Sequence, residues 1–207
     1  QKGNNVKVIG IEGNFDNAQT GVKGIFADSD LNKKLEALGV QLSSANSINI
    51  GRLVPQIVYY FYGYVQLVNK QKIKIGDKIN VVVPTGNFGN ILAAYYGKKM
   101  GLPINRLVCA SNENNVLADF FKTGAYDKRR ELKLTESPSM DILVSSNLER
   151  LLFEGNERNS KVVKELMDDL NNKGIYMISD KCREFLSEFY GEYADIDEVY
   201  EAINKVY

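Results

Sequence analysis

Histidine and tryptophan are absent from the 207 residues, cysteine occurs only twice (Cys109 and Cys182), and proline four times. The missing histidine excludes most: no Ser-His-Asp or Cys-His catalysis, no histidine-ligated zinc and no imidazole proton shuttle can be built within this chain. Two cysteines are too few for a disulfide framework at this length, and point to small buried side chains in a reducing compartment. Net charge is missing as well. Lys+Arg and Asp+Glu both number 26, which leaves no electrostatic footprint for nucleic acid or an anionic membrane surface. No apolar run reaches the roughly 20 residues of a membrane span. The strongest, residues 53–68, is interrupted by Pro55, Gln56, Gly63 and Gln66. No signal or transit peptide is read at the start, so a cytoplasmic protein is the expectation. Gln1 is no initiator: either a tag was removed or the chain is a piece of something longer.

What is present is an ordinary globular composition, 44% hydrophobic with 12 tyrosines and 9 phenylalanines, ample for a real core. A strand-like run at 5–10 is followed by a turn over 13–16, with Asp16 as the cap of a helix running to about 27. Asp28 or Asp30 caps a second helix with Leu31, Leu35 and Leu38 on one face and Gly39 as its stop. After a polar loop, residues 51–69 predict a long helix, with Pro55 near its first turn and a largely covered aromatic face of Tyr59, Tyr60, Phe61, Tyr62 and Tyr64. Residues 79–84 and 106–110 are β-branched or apolar strand runs separated by a helix over 88–100, a βαβ unit that calls for a parallel sheet. A helix at 116–123 stops at Gly124. Residues 124–140 are turn-rich and irregular. Helices follow at 147–153, 160–173, 180–190 and 196–206, the last capped by Asp195, with a short strand at 175–178 among them.

Two segments could hold anions. Pro84-Thr85-Gly86-Asn87-Phe88-Gly89-Asn90 lies between a buried strand and a helix, where free backbone N–H groups and the positive helix end converge without needing a cation. Its glycines would let backbone approach an anion closely, and Asn87 and Asn90 add neutral donors. It is neither Gly-x-Gly-x-x-Gly nor a Walker loop, and a plain strand-to-helix turn is the simpler alternative. The second segment, Ser43 to Arg52, is a loop of hydroxyl and amide side chains backed by a guanidinium. Its simpler alternative is an elaborate helix cap beside a surface arginine. Lys128-Arg129-Arg130 with Lys133, interleaved with Glu131 and Glu136, reads as a solvated face. Asp168-Asp169 lacks metal-ligand spacing, and no metal site is read.

Three segments together, Gly13-Asn-Phe-Asp-Asn-Ala-Gln19, Ser44-Ala-Asn-Ser-Ile-Asn49 with Arg52, and Pro84-Thr-Gly-Asn-Phe-Gly-Asn90, closely resemble the bacterial and fungal branch of the threonine synthase family, in order and spacing. Ser137-Pro-Ser-Met-Asp141 and Ser146-Asn-Leu-Glu-Arg150 resemble later segments of that family, so the match runs over essentially the whole chain. The resemblance implies an α/β fold of the fold-type II pyridoxal-phosphate class (tryptophan synthase β-like), three αβα layers around a mainly parallel sheet. It implies residues 1–42 as the tail of a small domain and 43–207 as part of a large one. It also implies a lyase of threonine biosynthesis that converts O-phospho-L-homoserine and water to L-threonine and phosphate with pyridoxal phosphate. Gly86, Asn87, Phe88, Gly89 and Asn90 would then hold the cofactor phosphate, and Asn46, Ser47 and Arg52 the substrate phosphate. The family's cofactor-binding lysine stands upstream in a Phe-Lys-Asp context. Here Phe121-Lys122-Thr123 comes after the phosphate loop, so the role is not carried to Lys122 and that lysine is expected outside the chain, leaving it inactive alone. Two alternatives stay open: a threonine-synthase-like phospholyase giving 2-oxobutyrate, and a non-catalytic phosphate-binding α/β domain. A piece of a larger sheet protein is further expected to expose apolar faces and self-associate.

Overall fold

The structure, a computed structural model, describes residues 3–13 and 15–207. Asn14, in the expected first turn, lies outside the described residues, as does the side chain of the expected cap Asp16. The chain divides into two compact units, residues 1–43 and 44–207.

The first unit holds helices α1 (Phe15–Ala27) and α2 (Ser29–Ala37). Asp28 caps α2, its Oδ1 accepting from the N–H groups of Asp30 and Leu31 at 3.0 and 2.9 Å, and Gly39 turns the chain out at φ 70°. The strand expected at 5–10 does not form. Val8 and Ile9 are 91% and 82% exposed, and no neighbouring strand pairs with them among the described residues. A β-prone run without a partner strand cannot satisfy its backbone in a ladder.

In the second unit the expected long helix is broken into α3 (Ile50–Leu53), a 3₁₀ turn (Val54–Gln56) and α4 (Ile57–Asn69). Pro55 is responsible: without an N–H it cannot complete the α-helical ladder, and the turn tightens instead. Only part of the aromatic face is covered. Tyr60 and Phe61 pack against the core and Tyr64 is buried, whereas Tyr59 and Tyr62 are exposed.

Strand β1 (Ile79–Pro84), helix α5 (Gly89–Lys99) and strand β2 (Ile104–Ser111) form the expected parallel βαβ unit. Helix α6 (Val116–Thr123) ends at Gly124 in the left-handed region, which glycine occupies at no steric cost. Strand β3 (Ala125–Asp127) comes next, then an irregular stretch with a 3₁₀ turn at Pro138–Met140, then α7 (Leu148–Gly155) and α8 (Ser160–Lys173). Strand β4 (Ile175–Met177) pairs antiparallel with β3, and the rings of Tyr126 and Tyr176 stack 5.2 Å apart.

The largest departure follows. The helix expected over 180–190 stops early: α9 covers only Asp180–Phe185, a 3₁₀ turn spans Leu186–Glu188, and Phe189–Tyr193 is strand β5, parallel to β2. Gly191 explains it. A Cβ there would sit 2.7 Å from Ala118 Cα, so α6 lies directly on the strand backbone. The sheet order is β1-β2-β5. Val83, Leu107, Cys109 and Phe189 form its buried side, where the Phe189 ring meets Tyr95 of α5 and Phe121 of α6 at 5.8 and 5.4 Å. The opposite side is open: Val82 is 63% exposed, and the Arg106 guanidinium lies 4.5 Å over the Tyr190 ring. Helix α10 (Ile196–Val206) starts from a capping box of Asp195 and Glu198.

The basic stretch is indeed a solvated face of ion pairs: Arg129 with Asp127, Arg130 with Asp119 and Lys133 with Glu113, each within 2.9 Å. The hydrogen bond from Arg129 holds the Asp127 carboxyl down at about 2.

Candidate anion-binding site

Past the end of β1, Thr85 still donates its N–H to Ala110 O at 2.8 Å, and its hydroxyl donates to Val83 O at 2.6 Å. The chain then leaves the sheet. Phe88 takes φ 65°, in the left-handed region, a costly conformation for a residue with a Cβ. Its ring, 1% exposed, is stacked on Phe121 with centroids 5.9 Å apart, and that burial offsets the strain. The kink opens α5 without any side-chain cap. Among the described residues the N–H groups of Gly86, Asn87 and Phe88 meet no acceptor. Free donors at an uncapped helix end are what an anion requires.

The glycines serve a purpose beyond the one expected. Their missing side chains make room for protein. A Cβ on Gly86 would lie 2.6 Å from Ser139 O, and one on Gly89 would lie 2.6 Å from Ser47 Oγ and 2.8 Å from Ser47 Cβ. The 3₁₀ turn at Pro138–Met140 is thus laid on the loop from one side and Ser47 from another. Ser47, Gln56, residues 84–90, Ser139 and Met140 line one cleft of about 320 Å³, within the usual range for a small-molecule site.

Two other predicted donors are partly engaged elsewhere. Asn90 Oδ1 accepts from the Tyr60 hydroxyl at 2.5 Å and its Nδ2 donates to Gln56 Oε1 at 3.1 Å, so its side chain fastens α5 to the segment before it. Burial pushes the Tyr60 hydroxyl up to about 12, keeping it a donor. Asn87 Oδ1 lies 3.4 Å from the Ser146 hydroxyl.

In the second segment, Asn46 Oδ1 accepts from Ile48 N at 3.1 Å, while Asn49 is the cap of α3, its Oδ1 accepting from Gly51 N at 2.9 Å. Arg52 Nε donates to Ala45 O at 3.0 Å, and the guanidinium has no carboxylate within ion-pair distance among the described residues. Ser47 lines the cleft; Asn46 and Arg52 do not.

Sequence reasoning assigned no role to the residues that bind these loops together. Ser145 Oγ donates to Gly86 O at 2.7 Å. Asn147, fully buried, donates through Nδ2 to Ser47 Oγ at 2.9 Å and to Asn87 O at 3.0 Å. Arg150 reaches the carbonyls of Ser47 and Ile48. The Pro138–Met140 turn is anchored by Asp141, 6% exposed, whose Oδ1 accepts from Asn112 Nδ2 and Thr135 Oγ1, both at 2.7 Å. The sole sequence signal for these partners was the familiar order of residues 137–141 and 146–150.

Lys122, at the end of α6, is paired with Glu192 at 2.9 Å and borders a different groove, of about 410 Å³, beside β5 and α9. No group of acidic or cysteine side chains able to hold a metal ion is found among the described residues. No helix among them is long and apolar enough to cross a membrane.

With this geometry in hand, known proteins decide the relationship. The chain is 47% identical over 202 residues to human "Threonine synthase-like 1" and 39% identical over 213 residues to threonine synthase of Saccharomyces cerevisiae. These alignments take in 96% and 98% of this chain. Its fold matches pyridoxal-phosphate-bound threonine synthase of Brucella melitensis with a TM-score of 0.80, at 42% identity over 94% of the chain. The chain is a homologue of the threonine synthases. It shares the fold-type II architecture of those enzymes. It spans 27% of the length of the human relative and 40% of the yeast threonine synthase. No family model matches the sequence.

Proposed function

We propose that this chain is the phosphate-gripping part of a cytoplasmic, pyridoxal-phosphate-dependent threonine synthase, acting on O-phospho-L-homoserine and water to give L-threonine and phosphate. Residues 1–42 form the tail of its small domain and 43–207 part of its large one. The observation that carries this reading is the uncapped start of α5, with free N–H groups at Gly86, Asn87 and Phe88, in one cleft with Ser47. The residues fit the cofactor: a dianionic phosphate suits this loop, which offers N–H donors and helix dipole and no competing carboxylate. When bound, pyridoxal phosphate supplies an electron sink for charge developing on the substrate.

The rest is the work of the chain's own groups. The Gly86 to Asn90 loop holds one phosphate by its backbone. Ser47 donates a hydroxyl, Asn46 an amide and Arg52 a guanidinium to the substrate's phosphate. Arginine suits that task because its charge is permanent and its fork matches paired oxygens. Lys122, ion-paired beside the other groove, is not the lysine that holds the cofactor. That lysine lies outside this chain, so the chain alone is inactive.

Product analysis of the full-length protein with pyridoxal phosphate and O-phospho-L-homoserine tests the reading. Threonine with stoichiometric phosphate is the expected result. Equimolar 2-oxobutyrate in its place would make the protein a phospholyase, and cofactor binding without phosphate release would leave a non-catalytic binding domain. Borohydride reduction with peptide mapping checks the lysine: a single stoichiometric adduct at Lys122 would overturn that part.

A further inference from the structure

We propose that Asn147, held in place by Arg150, is the positioning residue that aims the Ser47 hydroxyl at the bound anion and joins the two phosphate loops into one unit. The proposal rests on the assignment of Ser47 to the substrate's phosphate and adds what makes that hydroxyl a donor.

A serine hydroxyl has one proton and can accept as well as donate. What it offers a ligand therefore depends on what its neighbours supply. Asn147 Nδ2 donates to Ser47 Oγ at 2.9 Å. With that lone pair used, the Ser47 proton is released to point outward, its one internal alternative being a long 3.4 Å contact to Asn46 Oδ1. The second proton of the same amide nitrogen goes to Asn87 O at 3.0 Å, and the Asn147 backbone N–H goes to that oxygen too, at 3.1 Å. One buried side chain therefore touches the loop assigned to the substrate's phosphate and the loop assigned to the cofactor's.

An asparagine side chain can turn either its oxygen or its nitrogen toward a neighbour. Arg150 removes the ambiguity. Its guanidinium donates to Asn147 Oδ1, and a guanidinium cannot accept a hydrogen bond, so the oxygen must face Arg150 and the nitrogen must face Ser47. The same guanidinium donates to the carbonyls of Ser47, at 3.1 Å, and Ile48. Arg150 meets no carboxylate within ion-pair distance among the described residues, which leaves a half-buried positive charge beneath the loop. Partly buried cations are normally paired, and a phosphate above Ser47 would supply the missing charge.

Asn147→Asp tests the direction of the bond. The substitution preserves shape and the acceptor facing Arg150, and it replaces the donor facing Ser47 with an acceptor. Ser47 then turns its proton inward. Inorganic phosphate binding to the full-length protein, measured by calorimetry, is expected to weaken about tenfold or more. In a Ser47→Ala background the loss should be clearly smaller, because the route through the hydroxyl is gone and only the charge that the new carboxylate sets beside Arg150 remains. Equal losses in both backgrounds would overturn the proposal and leave Asn147 a purely structural residue. Should Asn147→Asp fail to fold, the side-chain amide resonances of Asn147 in the unsubstituted protein decide. They should shift with phosphate at the midpoint of binding and stay fixed in Ser47→Ala; resonances indifferent to phosphate in both would overturn it. If Ser47→Ala alone left phosphate affinity unchanged, the assignment of the substrate site would fall first, separately from the role of Asn147.

Discussion

At the scale of single residues, the site depends on two missing side chains. Gly89 is tolerable only as glycine because Ser47 Cβ already stands where a methyl group would go. A shift of Ser47 moves the whole loop that Asn147 and Arg150 hold. Gly89→Ala should therefore cost on the order of 1–3 kcal/mol by overpacking and weaken pyridoxal phosphate binding, read by thermal melting and by cofactor titration. A variant with unchanged melting and affinity would mean the loops are not in contact. The cysteines give a second residue-scale expectation. Burial pushes the Cys109 thiol up to about 12 and also raises that of Cys182, which favours the neutral thiol over the reactive thiolate. Neither should alkylate with iodoacetamide at pH 8 in the native protein, and both should react in guanidinium, as mass spectrometry of the labelled protein would show.

Elements differ in how plainly they were written in the chain. Strands β1 and β2 were legible because apolar, β-branched runs bounded by glycine and proline have few other solutions. Strand β5 was not: Phe189-Tyr-Gly-Glu-Tyr193 holds no β-branched residue and continues a helical pattern. What makes it a strand is the seat of Gly191 against Ala118, a contact between residues 73 positions apart (191 − 118) that periodicity cannot carry. Gly191→Ala should accordingly lower stability by roughly 2 kcal/mol or more, a fall in melting temperature that a calorimeter would register. The Asp195 cap of α10 is a local device and was legible. Asp195→Ala should cost about 1 kcal/mol, and because α10 buries no residue the loss should appear as faster amide exchange within that helix, with the global melt unchanged. The two candidate anion loops follow the same division. Glycines and amides between a strand and a helix marked the one, and a run of hydroxyls and amides before a helix the other, while Asn147 and Arg150, 60 and 103 residues from their partners, carried no local signature.

On the scale of the whole molecule, α5 and α6 pack on one side of the parallel sheet, while Val82 and Tyr190 on the other side are exposed. Helix α4 likewise leaves Val58, Tyr59 and Tyr62 exposed. Apolar surface of this kind is normally covered, and we expect the isolated chain to self-associate. Size-exclusion chromatography at rising concentration should show growing apparent mass, and a monomer at every concentration would speak against it. Every role proposed for the site depends on the start of α5 gripping the phosphate of pyridoxal phosphate. The most direct test is an amide-resolved NMR titration with that cofactor. Saturable shifts of the Gly86, Asn87, Phe88 and Gly89 N–H resonances are expected; shifts confined to surface lysines and other segments, with those four unmoved, would contradict that grip.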